Sequence, residues 1–497
     1  MRDGLETEHL DPTAEISLET VKERSVRGVV ILTGRTFFLQ ILTFIAQAVL
    51  WAYLGAAEWG IFLILNAVIN IFNYFSNIGL AAALVQKKES PTETDLKTTF
   101  LVQEIVVFMI VVVIFLLSPV FINKYSLSGD GVGLLYALTL SFLLSSFKSI
   151  PSVLLERKLE FVKLTFPQIV EQVIYYVVLV GLAMRGFGIV SFTVAIITRD
   201  VVGLIVLYWL QPWRPGIAFS RKVLAGLFKF GVPYQVNTLL AAIKDDGMTV
   251  VLGGILGSVG VGFLGMAEKI ARWPLAFFMD TVTKVTFPAF SRMQDNRDQL
   301  ARSVTRSIFF ICFLVFPSLA GLVVLAPIVL VAVPKYSQWT PALVAISLVS
   351  VKFAFAAATT QLTNLLNAIG KIRITFYLMV MWTLLTWITV PFLAARGGFN
   401  GAALGSCLVG ISSVVAIVVT KRYVNFSVLD AMVKPALGAI LMGGVLLVLR
   451  GLFEPTIYTI TLLVVVGSVV YGALMVAIIG VSLINDAKRS FKTILAR

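Results

Sequence analysis

Sixteen charged side chains fall inside stretches that are otherwise apolar, and these are the residues with the most chemistry to offer. The cations are Arg35, Lys148, Arg199, Lys229, Lys244, Lys269, Arg272, Lys284 and Lys352, and the acids are Glu104, Glu171, Asp200, Asp245, Asp246, Glu268 and Asp280. An ionised group at membrane depth is costly unless it meets a partner or water. Nine of the sixteen crowd into residues 229–284. Within that stretch Glu268 and Arg272 stand four apart, a spacing that lets them pair along one helical face, with Lys269 beside it. The group fits two readings: internal salt bridges that fix helix packing, or a hydrated cavity whose cations face an anionic ligand. Arg199 and Asp200 are adjacent and point about 100° apart on a helix, so separate partners are expected for them.

Amides form a second pattern. Asn66, Asn70, Asn73 and Asn77 repeat at helical spacing and make a polar stripe down one helix. Hydrogen bonding between helices is one use of such a stripe, and a wall facing a polar ligand is another.

Other chemistries lack material. His9 is the only histidine, so histidine acid/base catalysis and ordinary zinc sites have no basis. Cys312 and Cys407 both sit in apolar runs, where small buried thiols are expected. No Gly-rich phosphate loop and no metal cluster is present, and the breaks between apolar runs are short. No catalytic residue, metal ligand or cofactor is expected, and an ATPase, glycosyltransferase, polymerase or ligase is disfavoured.

The elements that must carry these residues are membrane helices. The 497 residues are 58% hydrophobic and 13% charged, with a mean hydropathy of +0.94. That is more apolar surface than one aqueous core would bury. Apolar runs predict helices at about 29–53, 58–84, 99–121, 132–154, 164–184, 188–210, 231–255, 259–287, 305–333, 340–367, 374–395, 398–420, 431–450 and 457–483. The expected fold class is an all-α polytopic membrane protein of about fourteen transmembrane helices, with two pseudo-symmetric six-helix lobes plus two C-terminal helices.

Charge sets the topology. Of 40 Lys and Arg residues, 26 lie in alternate breaks that include both termini, five lie in the opposite breaks (Lys124, Arg185, Lys335, Arg396 and Arg450) and nine lie within helices. By the positive-inside rule both termini are cytoplasmic. The net charge of +14 is then accounted for by cytoplasmic loops, and no nucleic acid is needed. Residues 1–24, acidic at Asp3, Glu6, Glu8, Asp11, Glu15 and Glu19, contain no apolar stretch and read as a disordered cytoplasmic tail instead of a leader.

An internal repeat divides the rest. Leu54-Gly55 followed by Gly60 matches Leu256-Gly257 followed by Gly262. The expected domains are therefore 25–222 and 223–424, two parallel six-helix lobes, with 425–497 holding the last two helices and a basic tail. Ser90-Pro91-Thr92-Glu93 reads as a capping box opening a helix that runs into the third span.

Four segments carry a family resemblance: Gly79-Leu80-Ala81-Ala82-Ala83-Leu84-Val85-Gln86-Lys87-Lys88, Leu154-Leu155-Glu156-Arg157-Lys158-Leu159-Glu160-Phe161, Pro212-Trp213-Arg214-Pro215 and Phe287-Pro288-Ala289-Phe290-Ser291-Arg292. From about Ser25 to the end of the twelfth helix the chain resembles the Wzx-type polysaccharide flippases of the multidrug/oligosaccharidyl-lipid/polysaccharide exporter superfamily. The resemblance implies alternating access in a bacterial inner membrane and an undecaprenyl-pyrophosphate-linked oligosaccharide as substrate. It implies Arg35, Lys269 and Arg272 as head-group contacts and Asp246 and Glu268 as acids coupling transport to protons or sodium; Lys244 joins the head-group candidates, and the stripe at Asn66, Asn70 and Asn73 is the candidate sugar-facing wall. Membrane lipids, a polysaccharide polymerase and an export complex are the implied partners. A multidrug exporter of the same superfamily is the nearest alternative, and a membrane-bound polymerase or glycosyltransferase the alternative from another class.

Overall fold

In lipid the helix satisfies every backbone N–H and C=O within its own segment, so apolar runs of spanning length have one low-cost conformation. The computed structural model describes residues 18–76, 80–87 and 89–480, with the backbone alone for 18–27, 29–30, 75–76, 82, 222, 226–242, 280–281 and 284. Among the described residues every regular element is helical. The first eight are α1 (Leu18–Tyr53), α2 (Ala56–Ser76), α3 (Leu80–Gln86), α4 (Glu93–Lys124), α5 (Gly129–Phe147), α6 (Ser149–Arg157), α7 (Phe161–Met184) and α8 (Ile189–Leu210). They are followed by α9 (Arg221–Arg292), α10 (Arg297–Ala332), α11 (Leu343–Ala368), α12 (Ile372–Ile411), α13 (Val414–Lys421), α14 (Lys434–Arg450) and α15 (Ile457–Ile479). Among the described residues twelve stretches are long and apolar enough to cross a membrane. The protein is an all-α, polytopic membrane protein.

Twelve differs from the expected fourteen for a physical reason. Two glycine breaks join neighbouring apolar runs into one helical trace: α9 is interrupted at Gly257 (φ 65, ψ −179) and α12 at Gly397 and Gly398 (φ 60, ψ −148 at the latter). Both positive-φ conformations belong to glycine, because a Cβ would be strained there. At the second break the chain reverses: a Cβ on Gly405 would meet Val390 Cα at 2.9 Å. Gly55 falls in the α1–α2 turn and Gly257 in the α9 break, so both members of the repeated pair sit at interruptions.

The chain divides into two compact units, Met1–Val259 and Gly260–Arg497. In the first, α8 packs against α5 and α7, α1 lies on α7, and α5 also meets α2 and α4. In the second, α10 packs against α11 and α14, α11 against α12, and α14 against α15.

Three of the four resemblance segments meet in one cluster of the first unit. Leu80, Ala83 and Leu84 pack with Leu96, Phe100, Ile150, Val153, Leu154 and Trp213, and the Phe100 and Trp213 rings meet edge-on at 5.2 Å. Above this apolar knot Arg157 donates from Nη1 to the carbonyls of Leu84 (2.7 Å), Val85 (3.1 Å) and Lys87 (2.8 Å), and from Nη2 to that of Glu89 (3.2 Å). These carbonyls lie in the last turn of α3 and beyond its end, where a helix runs out of its own N–H donors. Alongside, Lys87 pairs with Asp95 at 2.5 Å. The capping box is shifted two residues from the expected one: Thr92 Oγ1 accepts from Asp95 N (3.2 Å) while Thr92 N donates to Asp95 Oδ2 (2.8 Å). Asp95 outcompetes Glu93 because only the residue three past the cap reaches back to it.

Candidate functional site

The first unit holds a charge network at the junction of α5 and α6. Pro151 has no N–H, so the carbonyl of Phe147, four residues earlier, loses its helical donor. The Tyr208 hydroxyl supplies one instead at 3.0 Å. The helix breaks there, at Lys148, between Phe147 and Ser149. The Lys148 ammonium donates to Glu171 Oε1 of α7 at 3.0 Å and to Asp200 Oδ1 of α8 at 3.2 Å. Asp200, 2% exposed, also takes a forked contact from Arg199: Nε to Oδ1 at 3.2 Å and Nη2 to Oδ2 at 3.0 Å. Arg199 further donates to Ser141 Oγ (3.2 Å) and lies over the Tyr175 ring at 5.4 Å.

This corrects the expectation of separate partners for Arg199 and Asp200. Their Cβ vectors do diverge, but the three-carbon stem of arginine is long enough to fold its planar fork back onto the neighbouring carboxylate. The sequence placed the densest charge in residues 229–284, and so this network on α5, α7 and α8 received no role. No local pattern announces it, since its members lie 23 and 52 residues from Lys148.

Other residues of the first unit are held more lightly. Arg35 Nη1 donates to Gln168 Oε1 at 2.7 Å, tying α1 to α7. Lys244 lies 3.4 Å from its neighbour Asp245, and Asn70 Nδ2 approaches Asp246 Oδ1 at 3.5 Å, the outer limit of a hydrogen bond. Asn66 and Asn70 are half-buried and Asn73 is exposed. Asn77 and His9 lie outside the described residues, as do the side chains of Lys229, Asp280 and Lys284.

In the second unit Glu268 does not pair with Arg272. Its Oε1 accepts from Lys352 Nζ of α11 at 2.7 Å, the two side chains being 39% and 33% exposed. A cation arriving across a helix pair meets the carboxylate end-on, whereas an i, i+4 arginine must lie along its own helix surface. Lys352 thus takes the acid, and among the described residues neither Lys269 nor Arg272 is in an ion pair. Both are exposed, and three apart they share a helical face. Further along α9, fully buried Gln361 of α11 accepts from Thr286 at 2.9 Å and donates to Thr283 at 3.3 Å, and Asn364 donates to Thr283 at 3.3 Å.

Apolar spanning helices with paired charge inside them define a multi-pass membrane protein, and solved structures share its fold. The chain is similar to "Lipid II flippase MurJ, inward closed conformation" with a TM-score of 0.72 and 16% identity, covering 90% of this chain and 98% of that one. It is also similar to an inward-facing multidrug resistance MATE family transporter of the MOP superfamily, with a TM-score of 0.58 and 16% identity over 80% of this chain and 98% of that one. Residues 49–344 match the family described as "Polysaccharide biosynthesis protein", and the chain belongs to that family. Relatives include the lipopolysaccharide biosynthesis protein WzxC of Escherichia coli (strain K12), 23% identical over 440 residues, 84% of this chain and 83% of that one. Another is the succinoglycan biosynthesis transport protein ExoT of Rhizobium meliloti (strain 1021), 23% identical over 404 residues, 81% of this chain and 80% of that one.

Proposed function

We propose that this protein is a flippase that moves an undecaprenyl-pyrophosphate-linked oligosaccharide repeat unit across the cytoplasmic membrane by alternating access, for polysaccharide export. The observation that carries the reading is the pair Lys269 and Arg272. Two cations share one face of a spanning helix, and the nearest acid on that helix, Glu268, is taken by Lys352. Positive charge left uncompensated inside an apolar span calls for an anionic partner, and a pyrophosphate is one that arrives with the substrate. An exporter of organic cations would need the opposite sign. The family membership and the relatives in lipopolysaccharide and succinoglycan biosynthesis support the same reading.

Arg35 and Lys244 join this head-group set in the proposal with less freedom, since Gln168 and Asp245 already engage them. Asn66, Asn70 and Asn73 supply sugar-facing amides. Of the acids proposed to couple transport to an ion, Glu268 is bound to Lys352, while Asp246, among the described residues, has the long contact to Asn70. Both termini are cytoplasmic, and a polymerase and export complex receive the product.

The test replaces Arg272 and Lys269 by Ala, singly and together, in cells lacking the native copy. Surface polysaccharide should fall and the lipid-linked repeat should accumulate on the cytoplasmic leaflet. Undiminished export by a well-folded double variant rules out this pair as the head-group site.

A further inference from the structure

Glu104 lies in α4, eleven residues past its start at Glu93, within a spanning stretch. Its Oε1 is sealed from solvent and has no hydrogen-bond partner. Its Oε2 lies 3.0 Å from Ser146 Oγ, and among the described residues Glu104 is in no ion pair. Ser146 Oγ also lies 2.7 Å from the Leu143 carbonyl oxygen. A serine hydroxyl has one hydrogen, and a carbonyl only accepts. The single hydroxyl hydrogen serves one of these contacts at a time; when it points to the Leu143 carbonyl, the Ser146–Glu104 contact is a hydrogen bond only if the carboxyl group donates to a lone pair of Ser146 Oγ.

Charge balance says the same. The groups around this turn are Lys148 at the α5–α6 junction, Glu171 and Tyr175 on α7, and Arg199, Asp200 and Tyr208 on α8. Lys148 and Arg199 are already matched by Glu171 and Asp200. The Tyr208 hydroxyl is committed to the Phe147 carbonyl. An ionised Glu104 would therefore add one unmatched negative charge within the span, whereas a protonated one leaves the whole set neutral.

We propose that Glu104 is a proton-binding site: its carboxyl group holds a proton and hands it to Ser146 Oγ as a hydrogen bond, and release of that proton is a coupling step of transport. Once ionised, Glu104 is an unmatched negative charge at the contact between α4 and α5, and losing or regaining one proton then changes the electrostatic cost of keeping that contact closed. The coupling role rests on the flippase reading; the bound proton does not.

Infrared difference spectroscopy of the whole purified protein in lipid nanodiscs, taken between mildly acidic and mildly alkaline buffer, reads the site directly. A protonated-carboxyl stretch is expected in the wild type, absent from Glu104→Gln, shifted in frequency in Ser146→Ala and retained in Glu268→Gln. If Glu104→Gln leaves the band unchanged, Glu104 holds no proton and the proposal is overturned. In cells, Glu104→Gln should weaken the dependence of polysaccharide export on the transmembrane proton gradient; undiminished dependence overturns the coupling role. Accumulation of the lipid-linked repeat in a strain lacking the gene reads the flippase assignment separately.

Discussion

Asp200→Asn removes one charge from the four-membered network while leaving shape and volume almost unchanged. Asp200 is 2% exposed, and its partners Lys148 and Arg199 are 15% and 28% exposed, so the pairs are largely shielded from water. At separations of 3.2 and 3.0 Å, each contact represents about 5 kcal/mol of attraction at an effective dielectric constant of about 20. Part of that is offset by the desolvation of the ions, and what the variant loses is the compensation for cations that stay buried, about 3–5 kcal/mol. Reversible chemical unfolding in mixed micelles is the assay. Lys148→Met in the same background removes the orphaned cation and leaves Arg199 facing Glu171, so the double variant should recover about 2 kcal/mol relative to Asp200→Asn alone. A single-variant cost under about 1 kcal/mol, or strict additivity in the cycle, would refute the view that these four charges act as one compensated unit.

Arg157→Lys keeps the charge but loses the fork that reaches carbonyls from Leu84 to Glu89; we expect a loss of about 2 kcal/mol and faster proteolysis of residues 85–92, with limited digestion as the readout. Gly257→Ala places a Cβ where φ is 65° and ψ is −179° but meets nothing within 4 Å, so its cost is pure backbone strain. That cost should be about 1–3 kcal/mol in unfolding experiments, and a neutral result would show that the α9 break relaxes without the glycine.

The resemblance segments were legible in the sequence, but their role was not. Leu84, Leu154 and Trp213 lie far apart along the chain, and their convergence under Arg157 identifies a structural joint that no single segment reveals. The charges divide in the same way. Glu268 and Arg272 have the spacing of a helical pair, and the sequence could not show that Lys352, 84 residues away, reaches the acid first. Arg199 and Asp200 failed in the other direction, because spacing describes where Cβ atoms point and not how far a flexible side chain returns.

By itself the sequence determined the class of the molecule: hydrophobic runs of spanning length favour the helix, which satisfies its own backbone in lipid. The resemblance segments are read directly from local sequence, whereas the number of separate spans is not, since glycine breaks join neighbouring runs. Tertiary structure alone decided which intramembrane charges are matched. Compensation depends on distances between helices that are remote in the chain, and it leaves Glu171 and Asp200 sharing Lys148 while Glu104, among the described residues, meets Ser146 and no cation.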